Sequence, residues 1–202
     1  WCYGFARRID ALLEAPGPAA PLRLALMMGG LRPFTTEPLA PARVDEILGH
    51  WHHVHEASGQ PFAAAPNTAL HAPGFVYDTE PASRAVVTVR QLAPAAVWRC
   101  MKAVQQAFYR DARDVTQPEV LADIAQSLGV ARADFAPAFA SQAMRDATLA
   151  DFRQAQAWGI PGFPALVAEQ AGALHLVTQG YLPVEALRER LGALAESRAK
   201  PH

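Results

Sequence analysis

Cysteine is scarce here, with two in 202 residues. That excludes the dense disulfide framework that holds many small secreted domains together. Lysine stands only at Lys102 and Lys200, so the positive charge is almost all Arg. Neither sign dominates: 18 Lys and Arg meet 19 Asp and Glu. The chain therefore carries no electrostatic footprint for nucleic acid or an anionic membrane, and no such partner is expected. No apolar run approaches the roughly 20 residues that cross a bilayer. Internal repeats and low-complexity tracts are also missing, as is an initiator Met. Part of the site described next is accordingly expected upstream of Trp1. What remains is a Pro-rich chain, 51% apolar, long enough to bury one substantial core.

Two fragments at opposite ends carry the chemistry. Trp1-Cys2-Tyr3-Gly4-Phe5 opens an apolar helical stretch with a cysteine in its first turn. Trp158-Gly159-Ile160-Pro161-Gly162-Phe163-Pro164 puts a proline directly before the β-like run Ala165-Leu166-Val167. A thiol at a helix start and a proline loop ahead of a strand are the two halves of a thiol–disulfide site. The other cysteine, Cys100, sits in a strongly helical segment and reads as a small buried hydrophobe. On composition alone, Cys2 could equally be an ordinary buried cysteine.

Spacing and punctuation order the rest. Phe5, Ile9, Leu12 and Leu13 share one helical face, ended by Pro16-Gly17-Pro18. Leu22–Met28 reads as a short buried strand closed by Gly29-Gly30. Helices follow over about 41–57, 80–92, 94–111, 131–140 and 143–158, with another after Thr116, expected as N-cap with Glu119 three residues on. Ala165–Glu169 and Ala173–Gln179 read as a hairpin, and 183–197 as a closing helix. The expected fold class is α/β: a thioredoxin-like core, its first strand lying before Trp1, with a large all-helical insertion. The expected division is residues 1–40 and 159–202 for the two halves of that core and 41–158 for the insertion. Trp51, Trp98, Phe108, Tyr109, Phe135 and Phe139 are expected in the insertion's core, and Arg84 among paired surface charges.

His50, His52, His53 and His55 cluster on one predicted helix, but no second ligand set with zinc spacing accompanies them. They read as a solvated helix face, and no metal is expected.

These fragments resemble a known family. Trp1-Cys2-Tyr3-Gly4-Phe5 is similar to the end of the Cys-x-Trp-Cys-(Tyr/Trp)-Gly-Phe segment of cytoplasmic DsbA-like proteins of the FrnE type. The turn Ser58-Gly59-Gln60-Pro61-Phe62, the region from Ala107-Phe108-Tyr109 to Glu119-Val120-Leu121, and the Gly159–Pro164 loop agree with the same group. The resemblance implies a dithiol–disulfide oxidoreductase in the cytoplasm. Cys2 would be the second, resolving cysteine, and the attacking thiol would stand three positions before it. Trp1, Tyr3, Gly162, Phe163 and a cis-Pro164 would contact a disulfide-containing peptide or small-thiol substrate. A redox partner protein or glutathione would exchange electrons with it, and no cofactor is implied.

Physical chemistry gives these residues their roles. Exchange proceeds through a thiolate, and a helix N-terminus offers unpaired N–H groups and the positive end of the macrodipole. A cis X–Pro bond turns the chain sharply beside the thiols and leaves the preceding residue's backbone to pair with an extended peptide. Two rival readings stay open. One is a glutathione-dependent enzyme similar to 2-hydroxychromene-2-carboxylate isomerase or kappa-class glutathione transferases, with Ser at the first Cys position. The other is a binding module of the same fold without a working redox pair.

Overall fold

The computed structural model describes residues 1–19 and 21–199. The helix α1 (Cys2–Glu14) is followed by an extended run, six helices and a hairpin with its closing helix. The six are α2 (Pro41–Ser58), α3 (Glu80–Leu92), α4 (Val97–Tyr109), α5 (Pro118–Ser127), α6 (Arg132–Ala140) and α7 (Gln142–Ala157). The hairpin is β1 (Ala165–Gln170) and β2 (Ala173–Gln179), and α8 (Val184–Ala199) closes the described chain. This is an α/β arrangement of the thioredoxin type with a helical insertion.

Apolar side chains form two clusters. Phe5, Ile9 and Leu12 of α1 pack with Val177 of β2 and with Val184, Leu187 and Leu191 of α8. The larger cluster runs through α2 to α7 and includes Trp51, Phe108, Phe135, Phe139 and Phe152. Trp98 belongs elsewhere than expected: it packs on the α1 cluster, and its indole N–H donates to Asp10 Oδ1 at 2.7 Å.

The hairpin forms where apolar alternation and turn residues place it. Ala171 and Gly172 both take positive φ, 51° and 80°, as a two-residue turn of the I′ kind requires. A register shift falls between Leu166 and Val167.

Residues 22–28 are extended but pair with neither described strand. Side-chain burial alternates as a strand's would, with Leu22, Leu24, Leu26 and Met28 turned inward. A strand also needs a ladder, and none of the described strands lies beside this run. Side chains take over part of one edge instead. Met28 N donates to Asp151 Oδ2 at 2.9 Å, and Arg90 Nη1 donates to Leu26 O at 2.9 Å. Arg90 and Asp151 are themselves joined by a two-pronged ion pair at 2.8 and 2.9 Å.

Three other local expectations change. Arg84 is buried, not a surface charge: it grips Glu80 at 2.8 and 3.1 Å and donates to Phe139 O at 2.6 Å. The cation thereby meets both a carboxylate and a carbonyl near the end of α6, where helix C-termini favour positive charge. Gln117, not Thr116, is the N-cap of α5. Asp114 draws Thr116 aside, accepting from its N–H at 2.9 Å and its hydroxyl at 2.6 Å. Arg188 of α8, which the sequence alone makes an ordinary solvated charge, instead donates to Ala15 O and Ala11 O and so satisfies carbonyls at the end of α1.

Candidate active site

Cys2 is the first residue of α1, with Trp1 as N-cap and Trp1 O accepting from Phe5 N at 2.9 Å. The helix sits where it does because its apolar face is buried and because Gly4 carries no side chain. A Cβ on Gly4 would come within 2.9 Å of Ser58 Cβ and Val54 Cγ1 of α2. The α1 backbone at Gly4 therefore lies directly against the Val54 and Ser58 side chains of α2.

The segment Gly180–Tyr181 touches both Trp1 at this helix start and the proline loop. The Trp1 ring, 46% exposed, lies 5.5 Å from the Tyr181 ring, centroid to centroid. Tyr181 is held by Arg8, which donates to its hydroxyl at 2.7 Å, and itself donates to Ala57 O at 2.9 Å. Its neighbour Gly180 donates its N–H to Pro164 O at 2.7 Å. The Phe163–Pro164 bond is cis, as is Ala65–Pro66 in the long loop before α3. Pro164 is buried, while Gly162 and Phe163 are half-buried. The Phe163 ring occupies the space a Cβ on Gly29 would need, so the glycine that closes the extended run seats the proline loop.

Burial acts on both cysteines in the same direction. Burial pushes the Cys2 thiol above its ordinary value of 9.0. Desolvation of the thiolate thus outweighs the helix terminus at this position. Burial pushes Cys100, 1% exposed, up to about 12. Tyr77 and Tyr109 lie close enough to Cys2 for its charge to act on their phenols, and burial raises both.

Trp1 thus meets Tyr181, whose neighbour Gly180 is bonded to Pro164. Tyr3 turns into the interior: 2% exposed, it stacks on Tyr109 at 5.1 Å and meets Phe62 edge-on at 5.2 Å. Sequence reasoning missed Tyr181, Tyr77 and the seat at Gly29. For Gly29 the signal was there, since a Gly-Gly pair after an apolar run can mark close approach as well as a turn. The histidines lie along α2, where His52 Nε2 is 3.3 Å from Glu56 Oε1 and His55 Nδ1 is 2.8 Å from Gln60 O.

A thiol-bearing helix start tied to a cis-proline loop ahead of a hairpin marks a thioredoxin-fold protein of the thiol–disulfide class. Comparison narrows that class. The chain belongs to the DSBA-like thioredoxin domain family, whose profile matches residues 1–192. Among solved structures it is similar to a candidate protein disulfide isomerase from Nitrosomonas europaea, at 41% identity and a TM-score of 0.88, covering 98% of this chain and 92% of that one. It also shares the fold of the cytosolic disulfide reductase DsbM from Pseudomonas aeruginosa, at 23% identity and a TM-score of 0.75, covering 98% and 93%. DsbM with GSH gives a TM-score of 0.74 at the same identity and coverage. No curated protein matches the sequence significantly.

Proposed function

We propose that this protein is a DsbA-type thiol–disulfide oxidoreductase in which Cys2 is the resolving thiol. The observation carrying this is the chain of contacts that ties the helix start to the proline loop: Trp1 on Tyr181, and Gly180 N–H on Pro164 O. The attacking cysteine belongs three positions before Cys2. Its thiolate opens a substrate disulfide, forming a mixed disulfide and releasing one substrate thiolate, which takes up a proton. The Cys2 thiol then loses its proton and attacks the enzyme sulfur of that mixed disulfide. An intramolecular disulfide forms and the second substrate thiol leaves. The substrate gains two electrons and the enzyme loses two.

The raised Cys2 pKa supports this order of events. A resolving thiol kept protonated does not compete for substrate, and it acts when the mixed disulfide is already beside it. Phe163 and Gly162 would supply the backbone that pairs with an extended substrate, and Trp1 would form one wall of the mouth. Tyr3 would act from beneath, supporting the helix start.

The partner that restores the reduced state is proposed to be glutathione. A protein of the same fold, DsbM, is known with GSH in its structure and is described as cytosolic. The same comparison supports a cytoplasmic location. The test is insulin reduction with glutathione as electron donor, using the chain extended upstream by its natural residues. Turnover supports the reading, whereas failure both to reduce insulin and to refold a scrambled disulfide substrate refutes it.

A further inference from the structure

One half-buried arginine near the proline loop has no counter-charge among the described residues. The Arg32 guanidinium reaches no carboxylate and donates to no carbonyl there; its backbone N–H alone is paired, to Thr79 Oγ1 at 2.9 Å. Its nitrogens are not sealed from the surface either, so a ligand can reach them. The cation lies over the Tyr77 ring, 5.7 Å from the centroid. A charge that is partly desolvated without an opposite charge is costly to keep.

The segment that carries Arg32 is firmly held. Arg32 O accepts from Thr79 N–H at 3.1 Å and from Thr35 Oγ1 at 3.2 Å. Asp78 forms no ion pair with Arg32; its Oδ1 accepts from Phe34 N–H at 2.8 Å and Glu80 N–H at 2.9 Å. Phe34 is thereby kept at φ 63°, a left-handed value that bulky residues rarely adopt. It is 58% exposed, so packing on the core does not account for it. Strained backbone of this kind clusters at ligand clamps.

Two contacts place this arginine beside the site. Gly29, whose missing side chain leaves room for the Phe163 ring, stands three residues earlier, at most about 10 Å of chain. Tyr77, which carries the cation, is also within reach of the Cys2 charge.

We infer that Arg32 binds the glycine carboxylate of glutathione, an assignment that rests on the oxidoreductase reading above. A planar guanidinium with free N–H groups takes a carboxylate through two parallel bonds. The glutamyl carboxylate of glutathione shares its carbon with an ammonium, which a second cation repels. The glycine carboxylate has no such neighbour. Reduction of the enzyme disulfide consumes two glutathiones. The first attacks as its thiolate, forming a mixed disulfide, and one enzyme thiolate leaves and takes up a proton. The second attacks the glutathione sulfur of that mixed disulfide. Glutathione disulfide departs and the other enzyme thiolate is protonated. The enzyme gains the two electrons that the two glutathiones lose.

The test is insulin turnover by the upstream-extended chain with three donors: glutathione, its ethyl ester at the glycine carboxylate, and dithiothreitol. The expected kcat/KM for glutathione is about tenfold above that for the ester, with the difference in KM. In Arg32→Met that ratio is expected to fall to about one, and in Arg32→Lys to recover in part, because the charge returns without the fork. Each ratio is taken within one variant, so a loss of folded protein does not move it. Equal use of glutathione and ester by the parent overturns the inference, as does an unchanged ratio in Arg32→Met. Turnover with dithiothreitol then leaves the oxidoreductase reading standing, whereas no turnover with any donor removes both.

Discussion

Cys2 and Cys100 differ in a way that solution chemistry reads directly. Both thiols are raised by burial, but Cys2 is only half-buried while Cys100 is sealed and pushed to about 12. Iodoacetamide is expected to label Cys2 slowly at neutral pH and faster as the pH climbs past 9. Cys100 should stay unlabelled until the protein unfolds. Mass spectrometry of peptides after timed alkylation checks this, and rapid labelling of Cys2 that has already levelled off at neutral pH would contradict it. Gly29 is the other decisive single residue. Gly29→Ala puts a Cβ where the Phe163 ring lies, so the ring or the backbone must shift. The expected cost is about 1–3 kcal/mol in urea unfolding, with reduced insulin turnover, because the proline loop loses its seat. A variant of unchanged stability and activity would show that Phe163 is not held there.

Among the elements, those framed by their own punctuation were legible in the sequence. Helix α3 spans Glu80–Leu92 as read, since Glu80-Pro81 opens it and Ala93-Pro94 follows it. Strand β2 also matches, since its partner is supplied two residues away in the same hairpin. The run over 22–28 alternates in burial as a strand would but forms no ladder among the described residues, since alternation reports which side chains are buried whereas a ladder needs a neighbouring backbone. Arg84 was misread because what buries it is α6, whose Phe139 carbonyl lies 55 residues on from it in the chain. Asp151 lies in the same class of long-range effect. Asp151→Ala strips the acceptor from Met28 N and the partner from Arg90, and is expected to cost about 2–3 kcal/mol, below a fully buried pair because Arg90 is partly exposed. Arg132→Ala, which breaks only exposed pairs to Asp123 and Glu119, should cost about 0–1 kcal/mol. Equal losses for the two would remove the argument that Asp151 anchors the extended run.

For the molecule as a whole, the raised thiol and phenol groups set an alkaline limit. Cys100 ionises in the unfolded chain near 9.0 and in the fold near 12, and Tyr77 and Tyr109 rise above 10.0 when buried. Folding therefore favours the protonated forms. That stability is fully present below about pH 9 and is lost as the pH rises toward 12. Melting temperature is expected to hold level up to that point and then fall, and a level profile to pH 11 would contradict it. The sequence puts Cys2 at a helix start and Pro164 directly before a strand, and both stand so in the fold. The packing of Trp1 near Tyr181 was not legible, because residues 180 apart announce no spacing. The most direct test of the joined site compares the upstream-extended chain with its Cys2→Ser variant on insulin. The account predicts turnover in the first, and in the second a stalled covalent mixed disulfide visible on a non-reducing gel. Equal turnover by both, or no reaction by either, would contradict it.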